Sequence, residues 1–295
     1  MDVKGTGVIA EPTISVQGID RTGPGCLCCG SASWETYARL PKLIFGKRAM
    51  ISRCQSCGFG RTVPEPETLV DYYANNDDFV TQLQERCDDY RSFAKSLLAD
   101  LPFSTGNGKR LLDVGCGGGF LLEEAQKLGF HAYGVDANAT MVRWCHARAL
   151  NVVLGDVSRL QSDLRFHVVV VSAVLEHLRD PAGLLLAVSR ILEKGGLVLV
   201  SQASFDGLLP YIAPWGWYGW QPKEHFWHFT PSSFQKFAER NGFTCASVRR
   251  SLHHSWYWTG KDILRNPLTA IAKLGALRNQ GDSFNAILQP RAPGA

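Results

Sequence analysis

Three groups of residues in this 295-residue chain have the types and spacing to do chemistry. The first is a pair of CxxCG units, Cys26-Leu-Cys-Cys29-Gly30 and Cys54-Gln-Ser-Cys57-Gly58, with 24 residues between Cys29 and Cys54. A tetrahedral zinc ion takes four thiolates, and each CxxC turn offers two from one tight loop whose trailing glycine tolerates a left-handed backbone. Cys26, Cys29, Cys54 and Cys57 are therefore the expected ligands of a structural zinc, and Cys28 is the spare thiol. The plainer alternative is four buried thiols without metal.

The second group is Leu111-Leu-Asp113-Val-Gly115-Cys-Gly117-Gly-Gly119-Phe120. An apolar strand ends at Val114, and the glycines turn it into a helix. Such a turn lets backbone N–H groups approach a nucleotide-like ligand with no side chain between. Phe120 stands where the third glycine of a GxGxxG dinucleotide turn would fall, which argues against nicotinamide. Asp136 lies 21 residues beyond Gly115 at the end of a second strand, where a carboxylate can accept two ribose hydroxyls.

The third group holds the candidates for proton transfer. His225 ranks first, ahead of a helix cap; Glu176 and His177, at the end of a fourth strand, come second, and His228 third. Each is weighed against a purely structural role, and His253 and His254 are as well explained by solvent exposure.

The elements that must position these groups follow from periodicity. Residues 1–25 read as a flexible leader, 26–63 as a zinc-binding head and 64–104 as a helical linker, with helices over Glu67–Ala74 and Gln82–Leu101. From residue 105 to 295 strands alternate with helices, the mark of a doubly wound α/β sheet. Strands are predicted ending at Val114 and over 131–135, 152–154, 168–172, 197–201, 243–248 and 284–288. Helices are predicted over 120–128, 140–150, 184–192 and, after the Thr230-Pro231 cap, to Arg240. An aromatic insertion spans 205–229, and a lid-like segment 253–282.

Composition bounds the rest. Hydrophobic residues make up 45% of the chain, enough for a sizeable core, and no apolar run approaches the ~20 residues that span a bilayer. A cytoplasmic location fits the nine cysteines, too few for a disulfide-dense scaffold. The net charge of +4 does not point to nucleic acid.

Taken in order, the DVGCGGG turn, Gly134-Val-Asp136, Gly155-Asp156, Val174-Leu-Glu-His177 with Asp180-Pro181, Glu193-Lys-Gly-Gly196 and His225–Phe229 resemble the motifs of class I S-adenosylmethionine-dependent methyltransferases. The CxxCG head resembles that of a biosynthetic subset, more loosely related to quinone O-methyltransferases. The resemblance implies an α/β fold with a Rossmann-like seven-stranded sheet in the order 3-2-1-4-5-7-6, preceded by a zinc-ribbon-like domain. It also implies that Asp113, Gly115 and Gly117 meet the amino-acid end of S-adenosylmethionine, Asp136 its ribose, and Asp156 with Val157 its adenine. For Glu176 and His177 it implies substrate contacts or, in the quinone-type enzymes this segment resembles, metal ligands, one acid and one histidine being too few to fix a metal. Phe166-His167 departs from the family's frequent Phe-Asp.

The expected activity is methyl transfer to an oxygen or carbon of a small, partly apolar metabolite. An RNA methyltransferase using Arg39, Lys42, Lys47, Arg48, Arg53 and Arg61 around the zinc head is the first alternative. An idle fold serving a protein partner is the second. A homodimer or a carrier-protein contact is left open.

Overall fold

The computed structural model describes residues 25–66, 83–251 and 280–291, apart from residues 45, 84, 161, 162, 213, 215 and 216. The expected leader up to residue 24, the helix Glu67–Ala74, His253, His254 and nearly all of the lid-like segment lie outside the described residues.

The larger layer is one seven-stranded sheet. Its strands are β4 (Arg110–Val114), β5 (His131–Asp136), β6 (Asn151–Leu154), β7 (Phe166–Ser172), β8 (Leu192–Ala203), β10 (Phe243–Ser251) and β11 (Ser283–Pro290). They lie in the order β10-β11-β8-β7-β4-β5-β6. Counted from β4 this is 3-2-1-4-5-7-6, as expected. The five strands β4 to β8 are parallel, and β11 joins β8 and β10 antiparallel. The unbroken valine run of β7 suits a strand covered on both faces. Val168 and Val170 join a core with Leu97, Leu122 and Val142 on one face, while Val169 and Val171 join a core with Leu185, Phe237 and the head's Phe59 on the other.

Six helices are described: α1 (Cys87–Leu98), α2 (Phe120–Lys127), α3 (Ala139–His146), α4 (Pro181–Ile191), α5 (Leu208–Ile212) and α6 (Pro231–Arg240). Caps explain several starts. Asn138 accepts from the N–H groups of Thr140 and Met141, Asp180 from Gly183, and Thr230 forms a reciprocal box with Ser233. Two helices are shorter than periodicity predicts. The 82–101 stretch is helical as α1 only to Leu98, because the following Pro102 disfavours helical backbone at Leu101, although Leu101 still packs in the core. The 140–150 stretch ends at His146, where the chain turns through Ala149 at φ 56°. Strand β8 starts at Leu192, five residues before the prediction, since Leu192 is already extended and pairs with Phe166.

The smaller layer is a four-stranded sheet, β1 (Trp34–Ile44), β2 (Lys47–Cys54), β3 (Gly60–Val63) and β9 (Trp227–His228). Its fourth strand comes from the aromatic insertion: Gly60 pairs with His228 and Arg61 with Trp227. The insertion also covers the apolar side of the head. Phe205, Trp217 and Trp220 pack with Ala38, Leu40 and Ile51, and Phe59 stacks on Trp227 with ring centres 5.7 Å apart. A head of under 40 residues is too small to bury its own apolar surface, and its edge strand needs a partner; the insertion supplies both. Among the described residues, no helix is long and apolar enough to cross a membrane.

Candidate active site

The glycine turn after β4 lies against β5. Gly115 and Cys116 both donate to the Val135 carbonyl, and Gly119, at φ 72°, leads into α2. A Cβ on Gly115 would meet Val174 Cγ2 at 2.7 Å, whereas one on Gly117 would meet nothing within 4 Å. Gly117 thus borders open space. Its N–H donates to Asp136 Oδ2 at 2.7 Å, and the N–H of Asn138 donates to Asp136 Oδ1 at 2.8 Å. Burial raises the Asp136 carboxyl, and the two N–H groups oppose that shift. Asp113 is buried beneath, and both burial and the charge of Asp136 push its carboxyl well above the carboxylate range. A buried acid and the partly buried Asp136 beside an open glycine edge favour a ligand that brings hydroxyl and ammonium donors.

Gly155 continues the same edge by donating to the Asp136 carbonyl at 2.8 Å. Asp156 is exposed and accepts from the Ser158 N–H and hydroxyl, so it caps the turn Val157–Arg159, while Val157 is buried. Phe120, the residue that replaces the third glycine, opens α2 and stacks on Tyr90 of α1 at 5.4 Å. His167, the departure from Phe-Asp, accepts the Arg110 N–H through Nδ1 and so serves the strand start.

The loop after β7 packs on the glycine turn through Val174. Just before it, Ala173 is held at φ 52°, a left-handed conformation uncommon outside glycine. Glu176, His177 and His225 then converge, with one ligand atom from each lying within 4.8 Å of the others. The His177 and His225 rings meet edge to face at 4.5 Å. His225 Nδ1 lies 2.8 Å from the Gly219 carbonyl. A carbonyl can only accept, so Nδ1 carries the proton and Nε2 is the basic nitrogen of the neutral ring.

Glu176 is buried, its Oε2 has no hydrogen-bond partner, and burial pushes its carboxyl up to about 7 against a bond from Gln202. Burial lowers His177 to about 4 and His228 to about 3, so both rings are neutral near neutral pH. His228 is spent on the joint with the head, where its Nε2 pairs with the Thr62 hydroxyl at 2.9 Å. Thr62 and Gln202 escaped sequence reasoning, and neither carries a motif that could have found it. Asn138 did carry a signal, as a capping residue two positions before Thr140.

The cysteine site is formed as the spacing requires. Cys26 and Cys57 sulfurs lie 3.4 Å apart and those of Cys29 and Cys54 3.6 Å apart, near the ~3.8 Å that a tetrahedral zinc with ~2.3 Å bonds imposes. Gly30 and Gly58 take φ of 77° and 75° as they close the two turns. All four sulfurs lie within 4.8 Å of one another, and Cys28 stays outside the set, buried beside it with its thiol pushed up.

A methyltransferase-domain family matches residues 80–248. The chain is 32% identical over 196 residues to a ubiquinone biosynthesis O-methyltransferase of Cereibacter sphaeroides, covering 60% of this chain and 78% of that protein. Among solved structures, it is similar to a SAM-dependent methyltransferase from Archaeoglobus fulgidus, with a TM-score of 0.51, 21% identity, and 72% and 99% of the two chains covered. It is also similar to magnesium protoporphyrin IX methyltransferase from Synechocystis with bound SAH, with a TM-score of 0.52, 16% identity, and 76% and 98% covered.

Proposed function

Because the chain belongs to the class I S-adenosylmethionine-dependent methyltransferases, we propose that it methylates an oxygen or carbon nucleophile of a small, partly apolar biosynthetic metabolite. The O-methyltransferase relatives support an oxygen acceptor. The observation that carries the reading is His225, a buried imidazole whose Nδ1–H is committed to Gly219 and whose ring stands within the Glu176–His177 cluster.

When bound, the cofactor supplies a methyl group already activated on a sulfonium. The chain has to hold it, orient the acceptor, exclude water and accept a proton. Asp113, Gly115 and Gly117 are assigned to the amino-acid end, since the open edge at Gly117 is space a side chain would fill. Asp136 is assigned to the ribose hydroxyls; each of its oxygens accepts one backbone N–H and keeps a second lone pair for a hydroxyl. Asp156 and Val157, next along this edge, are assigned to the adenine.

On the other side, His225 Nε2 takes the acceptor's proton as the nucleophile attacks, and the Gly219 carbonyl stabilises the imidazolium that results. Glu176, poised near 7 within the same cluster, can share that proton. The test is His225→Gln with methyl-labelled cofactor and a small phenol, an apolar ring with one oxygen nucleophile, as acceptor. Turnover should fall about a hundred- to ten-thousand-fold with cofactor affinity unchanged; undiminished turnover would remove His225 as the base.

One observation favours a second reading of the same cluster. Glu176, His177 and His225 have the donor types and closeness of a divalent-metal site, in which the ion would polarise the acceptor oxygen. Stripping weakly held metal while leaving the cysteine site loaded distinguishes the two, since a free base needs no added ion.

A further inference from the structure

Thr62 belongs to the zinc head, on β3, yet its bonds go to the side assigned to the acceptor. Its side chain is buried, and its hydroxyl lies 2.6 Å from the His225 carbonyl and 2.9 Å from His228 Nε2. A hydroxyl has one proton. The carbonyl can only accept it, so Thr62 Oγ1 donates to His225 O and accepts from His228 Nε2–H, which fixes the tautomer of the neutral His228 ring. The Thr62 N–H donates to the Phe226 carbonyl at 3.0 Å. Three bonds from one head residue therefore land on the segment that carries His225.

The same segment is anchored from other sides. The His225 N–H donates to Gln221 O at 2.9 Å, and the Phe226 N–H to Glu176 O at 2.8 Å. The Trp227 indole donates to Leu178 O at 2.8 Å. His225 is thus held between the loop after β7, which carries Glu176 and His177, and the head strand, which carries Thr62. Gly60 and Arg61, just before Thr62, pair with His228 and Trp227, so the strand leaving the cysteine site runs into this clamp without a break.

We propose that Thr62 is a positioning residue for the acceptor-side base: its hydroxyl sets the backbone of His225 and the ring of His228, and through it the zinc head completes the active site. The proposal rests on the reading of His225 as the base. It gives the head a task in the reaction in which the zinc touches no reacting atom. Thr62 acts through His225.

The test uses the full-length, zinc-loaded protein and nitrogen-resolved NMR of the histidine rings, which needs no acceptor. Thr62→Val keeps the shape and removes the hydroxyl, whereas Thr62→Ser keeps the hydroxyl and removes the methyl. In Thr62→Val the His228 ring should lose its single Nε2–H tautomer and the His225 signals should move, with zinc content and cofactor affinity unchanged. Turnover of the phenol should drop about tenfold, the worth of one buried hydrogen bond, and Thr62→Ser should restore both readouts. Ring signals unmoved in Thr62→Val would overturn the proposal. If Thr62→Val does not fold, displaced ring signals in Thr62→Ser would overturn it equally, because methyl packing rather than the hydroxyl would then hold the two histidines. A failed base assignment shows separately, as normal turnover in His225→Gln with the Thr62 ring effects intact.

Discussion

The half of the site assigned to the methyl donor is assembled from consecutive strand-turn-helix units between residues 110 and 157, whereas the half assigned to the acceptor draws Thr62, Glu176, His177, His225 and His228 from three stretches of chain, up to 166 residues apart. In the first, each strand delivers its own turn, and neighbouring turns bond to each other: Gly117 to Asp136, Gly155 to the Asp136 carbonyl. In the second, no element delivers a complete group. The loop after β7, the insertion and the head strand must all be docked before Glu176 and His225 can meet. One half is thus local and self-contained, and the other depends on tertiary assembly that includes the cysteine site.

The largest effect should come from breaking that dependence at its root. Cys54→Ser removes a ligand from a site type worth about 10–16 kcal/mol in small zinc modules, so zinc content should fall to zero and the head should melt. Turnover should vanish while cofactor binding by calorimetry persists. Loss of both together would mean that the halves are not separable.

The reverse cut is Asp136→Ala. Two carboxylate bonds to ribose at roughly 1.5–3 kcal/mol each predict at least a hundredfold loss of cofactor affinity, with zinc content and the histidine ring signals untouched.

The pH response probes the acceptor half through Glu176, while Asp113, also raised by burial, lies in the other half. The folded pKa of Glu176, about 7, lies above its ordinary value of 4.5, so between those pH values the folded state binds more protons than the unfolded one, and stability falls as pH rises through this window. His177 and His228 act oppositely: lowered to about 4 and 3 from 6.5, they withdraw stability as pH falls below 6.5. Glu176→Gln should therefore gain about 1–3 kcal/mol over wild type at pH 8 and little at pH 4.5, read from denaturant melts. An equal gain at both values would mean that the carboxyl is not held in its raised state.

The smallest effect distinguishes two glycines of one turn. Gly115→Ala forces a Cβ to 2.7 Å from Val174 at φ 71° and should lower the melting temperature. Gly117→Ala meets no protein atom within 4 Å, so beyond about 1 kcal/mol of left-handed strain its cost should appear in cofactor affinity.

The same division decides what could be read from the sequence. The strand order, the glycine turn, Asp136 and the four cysteines were legible because strand alternation, a glycine turn and CxxC spacing are local patterns. The helix ends at Leu98 and His146 were missed because Pro102 and the left-handed Ala149 override apolar periodicity that continues past them. His225 was legible as a candidate by residue type, but its Nδ1 bond to Gly219 was not. Thr62 was invisible, since a hydroxyl bonded 163 residues away leaves no spacing to detect. Buried rings such as Trp217 and Trp220 look the same in sequence whether they line a pocket or glue a head to a sheet, and here they do the latter.

Amide hydrogen exchange on the zinc-loaded and chelated protein, resolved by peptide, tests this division most directly. Chelation is expected to strip protection from residues 26–63 and from 219–229 while leaving 110–157 protected. Protection lost only within 26–58, with 219–229 unchanged, would contradict the dependence of the acceptor half on the zinc head.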